Sequence, residues 1–166
     1  LEYASIRLKG LQSIVLLAIS CYGYALRFAS ATLRDDKGFM LLAVKRSGLA
    51  LQYAHHTIKN DREIAMCAVL QDERAMVYVG NNLKCDQDFV MQAVKHSGMT
   101  LEYISEELKQ NPEIIIEALL SDARAVHYIP EEMRSNLNNL LYGTFSYEGV
   151  DSDCYNLPDI ETLSLG

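Results

Sequence analysis

Four sets of residues in this chain are of types that could do chemistry. His55 and His56 are adjacent, Glu106-Glu107 and Glu131-Glu132 are paired carboxylates, and two ladders repeat along the sequence. One ladder is aromatic (Tyr3, Phe28, Tyr53, Tyr78, Tyr103, Tyr128) and the other basic (Lys9, Arg34, Lys59, Lys84, Lys109, Arg134). The histidines suggest metal binding, but neighbouring helical residues point about 100° apart and cannot share one ion as i, i+4 histidines do. His96 and His127 are remote in sequence, so no metal is expected. The paired carboxylates read as a solvated helix face rather than an acid–base pair. The basic ladder could form a stripe for an acidic partner or a phosphate backbone; the reading preferred is that each cation ends a helix beside an Asp or Asn cap. The aromatic ladder could stack bases as RNA readers do; the preferred reading is core packing, with the hydroxyl reaching a carbonyl. There is no Gly-rich phosphate loop, nucleophile elbow or Cys/His constellation. Neither enzymatic activity nor a cofactor is expected.

What positions these residues is a period of 25, kept without insertion. Leu1, Leu26, Leu51, Met76, Leu101 and Val126 share one phase, and Ala18, Ala43, Ala68, Ala93 and Ala118 another. Such a period marks an all-α solenoid, a right-handed superhelix of short antiparallel helix pairs. In the unit beginning at Leu51, Leu51, Ala54 and Ile58 fall at i, i+3, i+7 and predict a first helix of roughly 8 residues. Asn60 turns the chain. Asp61 then caps a second helix of about 10 residues whose buried stripe is Ile64, Ala65, Ala68 and Val69. The cap phase holds Asp36, Asp86, Asn111 and Asn136 elsewhere, and Pro112 takes a first helical position. Isolated helices below about 12–15 residues are marginal, so the units must stabilise one another.

A second level of order is visible. Ala43-Val44-Lys45-Arg46-Ser47-Gly48 recurs as Ala93-Val94-Lys95-His96-Ser97-Gly98, while the units between read Gln71-Asp72-Glu73-Arg74 and Ser121-Asp122-Ala123-Arg124. The junction thus alternates between a Gly suited to a left-handed cap and an Asp-x-Arg turn. At positions 45, 70, 95 and 120 Lys alternates with Leu, which predicts alternate exposure and burial and a paired unit of 50 residues. Residues 1–135 form the solenoid domain, and 136–166 a C-terminal cap and partly ordered acidic tail. The tail carries Glu148, Asp151, Asp153, Asp159 and Glu161 without a basic residue, against a net −7 for the whole chain. Neither part has the basic footprint of a nucleic-acid binder. Cys21, Cys67, Cys85 and Cys154 occupy unrelated phases, which supports neither disulfides nor zinc, and Cys67 reads as a small core residue. No apolar run is long enough to span a membrane. The chain starts in register without Met, as a segment of a longer protein would; a cytoplasmic location is expected, in the producing cell or in a host cell for a secreted effector.

The pattern L-x-Y-A-x-x-x-L-K-x-D-x-E-[IV]-x-x-x-A-V, followed by S-G-x-x-L-x-Y, is carried by Leu51–Val69, Ser97–Leu119 and more loosely Leu26–Val44. It resembles a tandem repeat family of roughly 50 residues and unknown function, found in protist and intracellular-bacterial effector-like proteins. The resemblance covers residues 1 to about 135, implies a helical repeat, and carries no catalytic residues. A weaker similarity, to leucine-rich-variant repeats, implies no iron–sulfur cluster here because there is no cysteine cluster.

Function is therefore sought where units differ. Phases five to seven form one ridge: Ser5-Ile6-Arg7, Ser30-Ala31-Thr32, His55-His56-Thr57, Gly80-Asn81-Asn82, Ser105-Glu106-Glu107 and Pro130-Glu131-Glu132. It runs from weakly basic to strongly acidic. Its candidate partner-binding residues are His55, His56, Asn81, Asn82, Glu106, Glu107, Glu131 and Glu132. The expected function is a non-enzymatic scaffold for a protein partner. The alternatives are a regulatory or targeting module of a larger enzyme, and single-stranded RNA binding.

Overall fold

Five long helices of ten residues mark the repeat: Gln12–Cys21, Lys37–Arg46, Arg62–Gln71, Gln87–His96 and Pro112–Ser121. They belong to a computed structural model that describes residues 2–134, all of whose regular elements are helical. The expected cap and tail, with Asn136 and Cys154, lie outside the described residues.

The caps are those expected. Asp36 Oδ1 accepts from the Phe39 N–H at 2.6 Å, and Asp86 Oδ1 from that of Phe89 at 2.8 Å. Asp61 takes the N–H groups of Glu63 and Ile64, and Asn111 that of Glu113. Each satisfies an amide that the first helical turn leaves open. Unit one departs: Leu11 stands at the cap phase and makes no such bond.

The first helix of each unit is not the expected two-turn helix. From the second unit on it is split into a 3-10 helix (Gly23–Phe28, Gly48–Tyr53, Glu73–Tyr78, Gly98–Tyr103, Ala123–Tyr128) and a separate short turn. The short turns are Ile6–Lys9, Ala31–Asp35, His56–Lys59, Asn81–Lys84, Leu108–Gln110 and Glu131–Arg134. The break falls at phases four and five: Ala54 and His55 are extended, with ψ of 154° and 156°. Leu51, Ala54 and Ile58 are all buried, but on different elements. Phase five holds Ser, His, Gly or Pro, types that start a helix better than they continue one. Ser5 and Ser30 hydroxyls there accept from the N–H groups of Leu8 and Leu33.

Leu26, Leu51, Met76, Leu101 and Val126 and the alanines of the four inner long helices are buried, so those helices approach closely. Cys67 is half-buried against this core. The principal contacts join elements of one unit or of adjacent units, as in a tandem array.

Two further expectations need correction. Lys45, Leu70, Lys95 and Leu120 are all exposed, the leucines to 47% and 63%, so phase twenty does not alternate in burial. It lies on the outer side of the last helical turn in each of units one to five. Nor do Gly48 and Gly98 adopt a left-handed conformation. Their role is space: a Cβ on Gly98 would overlap the Ala118 carbonyl oxygen and lie 3.1 Å from Asp122 N, and one on Gly48 would overlap the Ala68 carbonyl. The alternation is therefore real but sits at this contact. The long helices of units two and three, and of four and five, pack most extensively; the pairs on either side pack less.

Candidate functional site

The ridge exists as an exposed strip. His55, His56, Asn81, Asn82, Glu106, Glu107, Glu131 and Glu132 are all exposed, while Leu33, Ile58 and Leu83 at phase eight are buried beneath it. Its register is held by main-chain bonds between units: the N–H groups of Ser30, His55 and Gly80 donate to the carbonyls of Lys9, Arg34 and Lys59, 21 residues earlier. His55 occupies the extended cap position and His56 the first helical one, so the argument from a shared helix does not apply to them. Their rings lie 4.2 Å apart, and His55 Nδ1 contacts Thr57 Oγ1 at 2.9 Å and Asp35 Oδ1 at 3.3 Å. At the acidic end Glu106 pairs with Lys109 at 2.8 Å.

Two cations of the basic ladder are engaged inside the chain. Lys84 Nζ donates to the Val77 carbonyl at 2.7 Å, and Arg134 donates to the carbonyls of Ile129 and His127. These cations reach back to the preceding 3-10 helix, and do not simply balance the adjacent cap. Burial holds the Lys59 and Lys84 ammonium groups below the ordinary lysine range.

The ladder tyrosines Tyr53, Tyr78, Tyr103 and Tyr128 are half-buried against the core, and Tyr3 is 97% exposed. The Tyr103 hydroxyl meets the Glu102 carboxylate, not a carbonyl; that contact, with burial second, pushes the phenol up to about 12. Tyr128 is also raised, by burial first and then by the same carboxylate.

Beside them lies a polar belt that the sequence reading missed. Arg74 and Arg124 fork onto Asp72 and Asp122 through Nε and Nη2, at 2.7–3.1 Å. The guanidinium is the foremost reason that Asp72 and Asp122 titrate below the usual carboxylate range. Ser97 Oγ donates to Glu73 of the preceding unit. The Asp-x-Arg turns were readable; the belt joins residues 24 or more apart and had no local signal. On the opposite side, Lys37 pairs with Asp61 at 2.8 Å and Arg62 with Asp86 at 3.0 Å, linking successive caps.

Among the described residues no three His, Cys, Asp or Glu side chains come together as a metal site, and no helix is long and apolar enough to cross a membrane.

The family model described as a domain of unknown function (DUF4116) matches residues 12–54, 36–84 and 86–134. The chain belongs to this family. The DUF4116 matches at 36–84 and 86–134 begin at the caps Asp36 and Asp86, and each encloses one of the two closely packed helix pairs. The match at 12–54 lies about one unit earlier and overlaps the next, as a 25-residue period within a two-unit family repeat allows. No curated protein and no solved structure matches the chain.

Proposed function

We propose that this DUF4116 array is a non-enzymatic scaffold whose ridge binds a protein partner. One observation carries the reading: the ridge side chains are exposed above the buried Leu33, Ile58 and Leu83, and at Ser30, His55 and Gly80 their backbone is held by main-chain bonds to the preceding unit, so their identity is free of the core. The net charge of the units that carry them also changes along the array. Residues 1–50 carry a net +4, residues 51–100 a net −1, and residues 101–134 a net −5. A partner with a basic patch would be drawn to the Glu106, Glu107, Glu131 and Glu132 end and oriented by the gradient. We further propose that the units wind as a right-handed α-solenoid and that the chain acts in a cytoplasm, its own or a host's. RNA stacking on the tyrosines fits less well, since those rings are half-buried and Glu73 and Glu102 stand among them.

The test is affinity capture with the whole chain and with a variant carrying Lys at positions 106, 107, 131 and 132, both checked for helicity by circular dichroism. Proteins bound by the native chain and lost from the variant support the ridge. An identical set bound by both removes it.

A further inference from the structure

The cations of the basic ladder are not alike. Lys84 Nζ and the Arg134 guanidinium are held by carbonyls, and Lys109 by Glu106. Arg34 and Lys59, the ladder positions of units two and three, are half-buried without any such contact. Arg34 Nε is buried and has no acceptor among the described residues. Lys59 Nζ has none among them either, and burial alone holds its ammonium below the ordinary lysine range. A covered donor without an acceptor is costly, the more so when it is charged.

Backbone bonds bring the two side chains to one place. The His55 N–H donates to the Arg34 carbonyl at 3.2 Å, and the Lys59 N–H closes the same short helix onto the His55 carbonyl at 3.1 Å. Packed helices lie about 8–10 Å apart, a gap that an arginine and a lysine can close over one small anion. The carboxylates nearby are already taken. Asp35 meets His55 and Thr57 at 3.3 Å, Asp36 caps Phe39, and Asp61 serves Lys37 and its own cap. Residues 26–60 hold six Lys and Arg against two Asp, a net +4.

We infer that Arg34 and Lys59 form a binding site for a phosphoryl group. A carboxylate would offset one of the two charges, whereas a phosphoryl group carries close to two and offers three acceptor oxygens. The guanidinium fork suits two of those oxygens and the ammonium the third. Turning Arg34 Nε out to such a ligand breaks no hydrogen bond, because it makes none; Arg134 would have to release two carbonyls.

Titration of the intact, isotope-labelled chain with inorganic phosphate at constant ionic strength, followed by NMR amide shifts, tests this. Saturable shifts at residues 34, 55 and 59 are expected, at concentrations roughly tenfold below those needed with acetate. Arg34→Gln and Lys59→Gln should each weaken phosphate binding roughly tenfold and keep native helicity, since neither charged group holds a bond in the fold. Lys84→Gln, whose ammonium is committed to the Val77 carbonyl, should leave the affinity unchanged. A peptide with one phosphoserine separates the sources of the group. Tighter binding than inorganic phosphate assigns the site to a phosphorylated protein, and equal or weaker binding to free phosphate. Acetate bound as tightly as phosphate, no saturation, or affinity indifferent to Arg34→Gln and Lys59→Gln overturns the inference.

Discussion

Gly98→Ala is expected to destabilise the protein more than any surface substitution of one methyl group. A Cβ at this position would overlap the Ala118 carbonyl oxygen and come within 3.0 Å of its carbon. Both atoms belong to the main chain of the next long helix, so relief requires units four and five to separate by about 1 Å, against the close packing of protein interiors. Overpacking of this kind costs about 1–3 kcal/mol. The bond from the Gly98 N–H to Ser121 Oγ, 3.1 Å, would be strained as well, adding about 1 kcal/mol. Together these give roughly 2–4 kcal/mol, a fall in Tm of about 6–12 °C for a domain of this size. The internal control is Gly38→Ala. Its Cβ would meet nothing closer than Asp36 Oδ1 at 3.5 Å, within a helix where Ala is favoured by up to ~1 kcal/mol. The two substitutions should therefore move urea midpoints, followed by circular dichroism, in opposite directions. A Gly98→Ala midpoint within about 0.5 kcal/mol of the native protein would refute the reasoning.

The caps and the carboxylates give two further tests. Asp86→Ala should cost about 1–2 kcal/mol by removing the acceptor for Phe89 N–H, and Asp86→Asn much less; Leu11→Asp should gain up to ~1 kcal/mol by supplying the cap that unit one lacks, all read from the same midpoints. Asp61, Asp72, Asp86 and Asp122 all titrate below the ordinary carboxylate range. Between those folded values and the unfolded value near 3.9 the unfolded chain binds more protons, so stability rises with pH across that window. The contribution is complete above roughly pH 4–5 and lost as pH falls through the folded values. Midpoints should drop below about pH 4, and less so with Asn at positions 72 and 122; a flat profile down to about pH 3 would count against these pairs.

Much of the fold could be read in advance because it is local. Asp36, Asp61, Asp86 and Asn111 announce helix starts through their own side chains, and the stripe Ile64, Ala65, Ala68 and Val69 is buried as its spacing requires. The break at Ala54-His55 was hidden because i, i+3, i+7 burial is met equally by one helix or by a 3-10 turn and a short helix in sequence. The signal lay in Ser5, Ser30, Gly80 and Pro130, helix starters placed where a helix should have continued. Glycine at 48 and 98 was visible, but whether it served backbone conformation or close approach depends on a carbonyl 20 residues away. The ridge was legible because variation against a fixed period shows in a single chain. The belt of Glu73, Ser97, Arg74 and Arg124 was not, since it depends on how successive units face each other.

The main-chain bonds from Ser30, His55 and Gly80 to the unit before them have an evolutionary consequence. An amide and a carbonyl are supplied by every residue but proline, so the spacing of the strip at these three junctions is insured against nearly any substitution there. Mutations there can accumulate and be tried against new partners with little risk to folding. Proline forfeits that insurance, and Pro130, which has no N–H to give, stands in the last unit described.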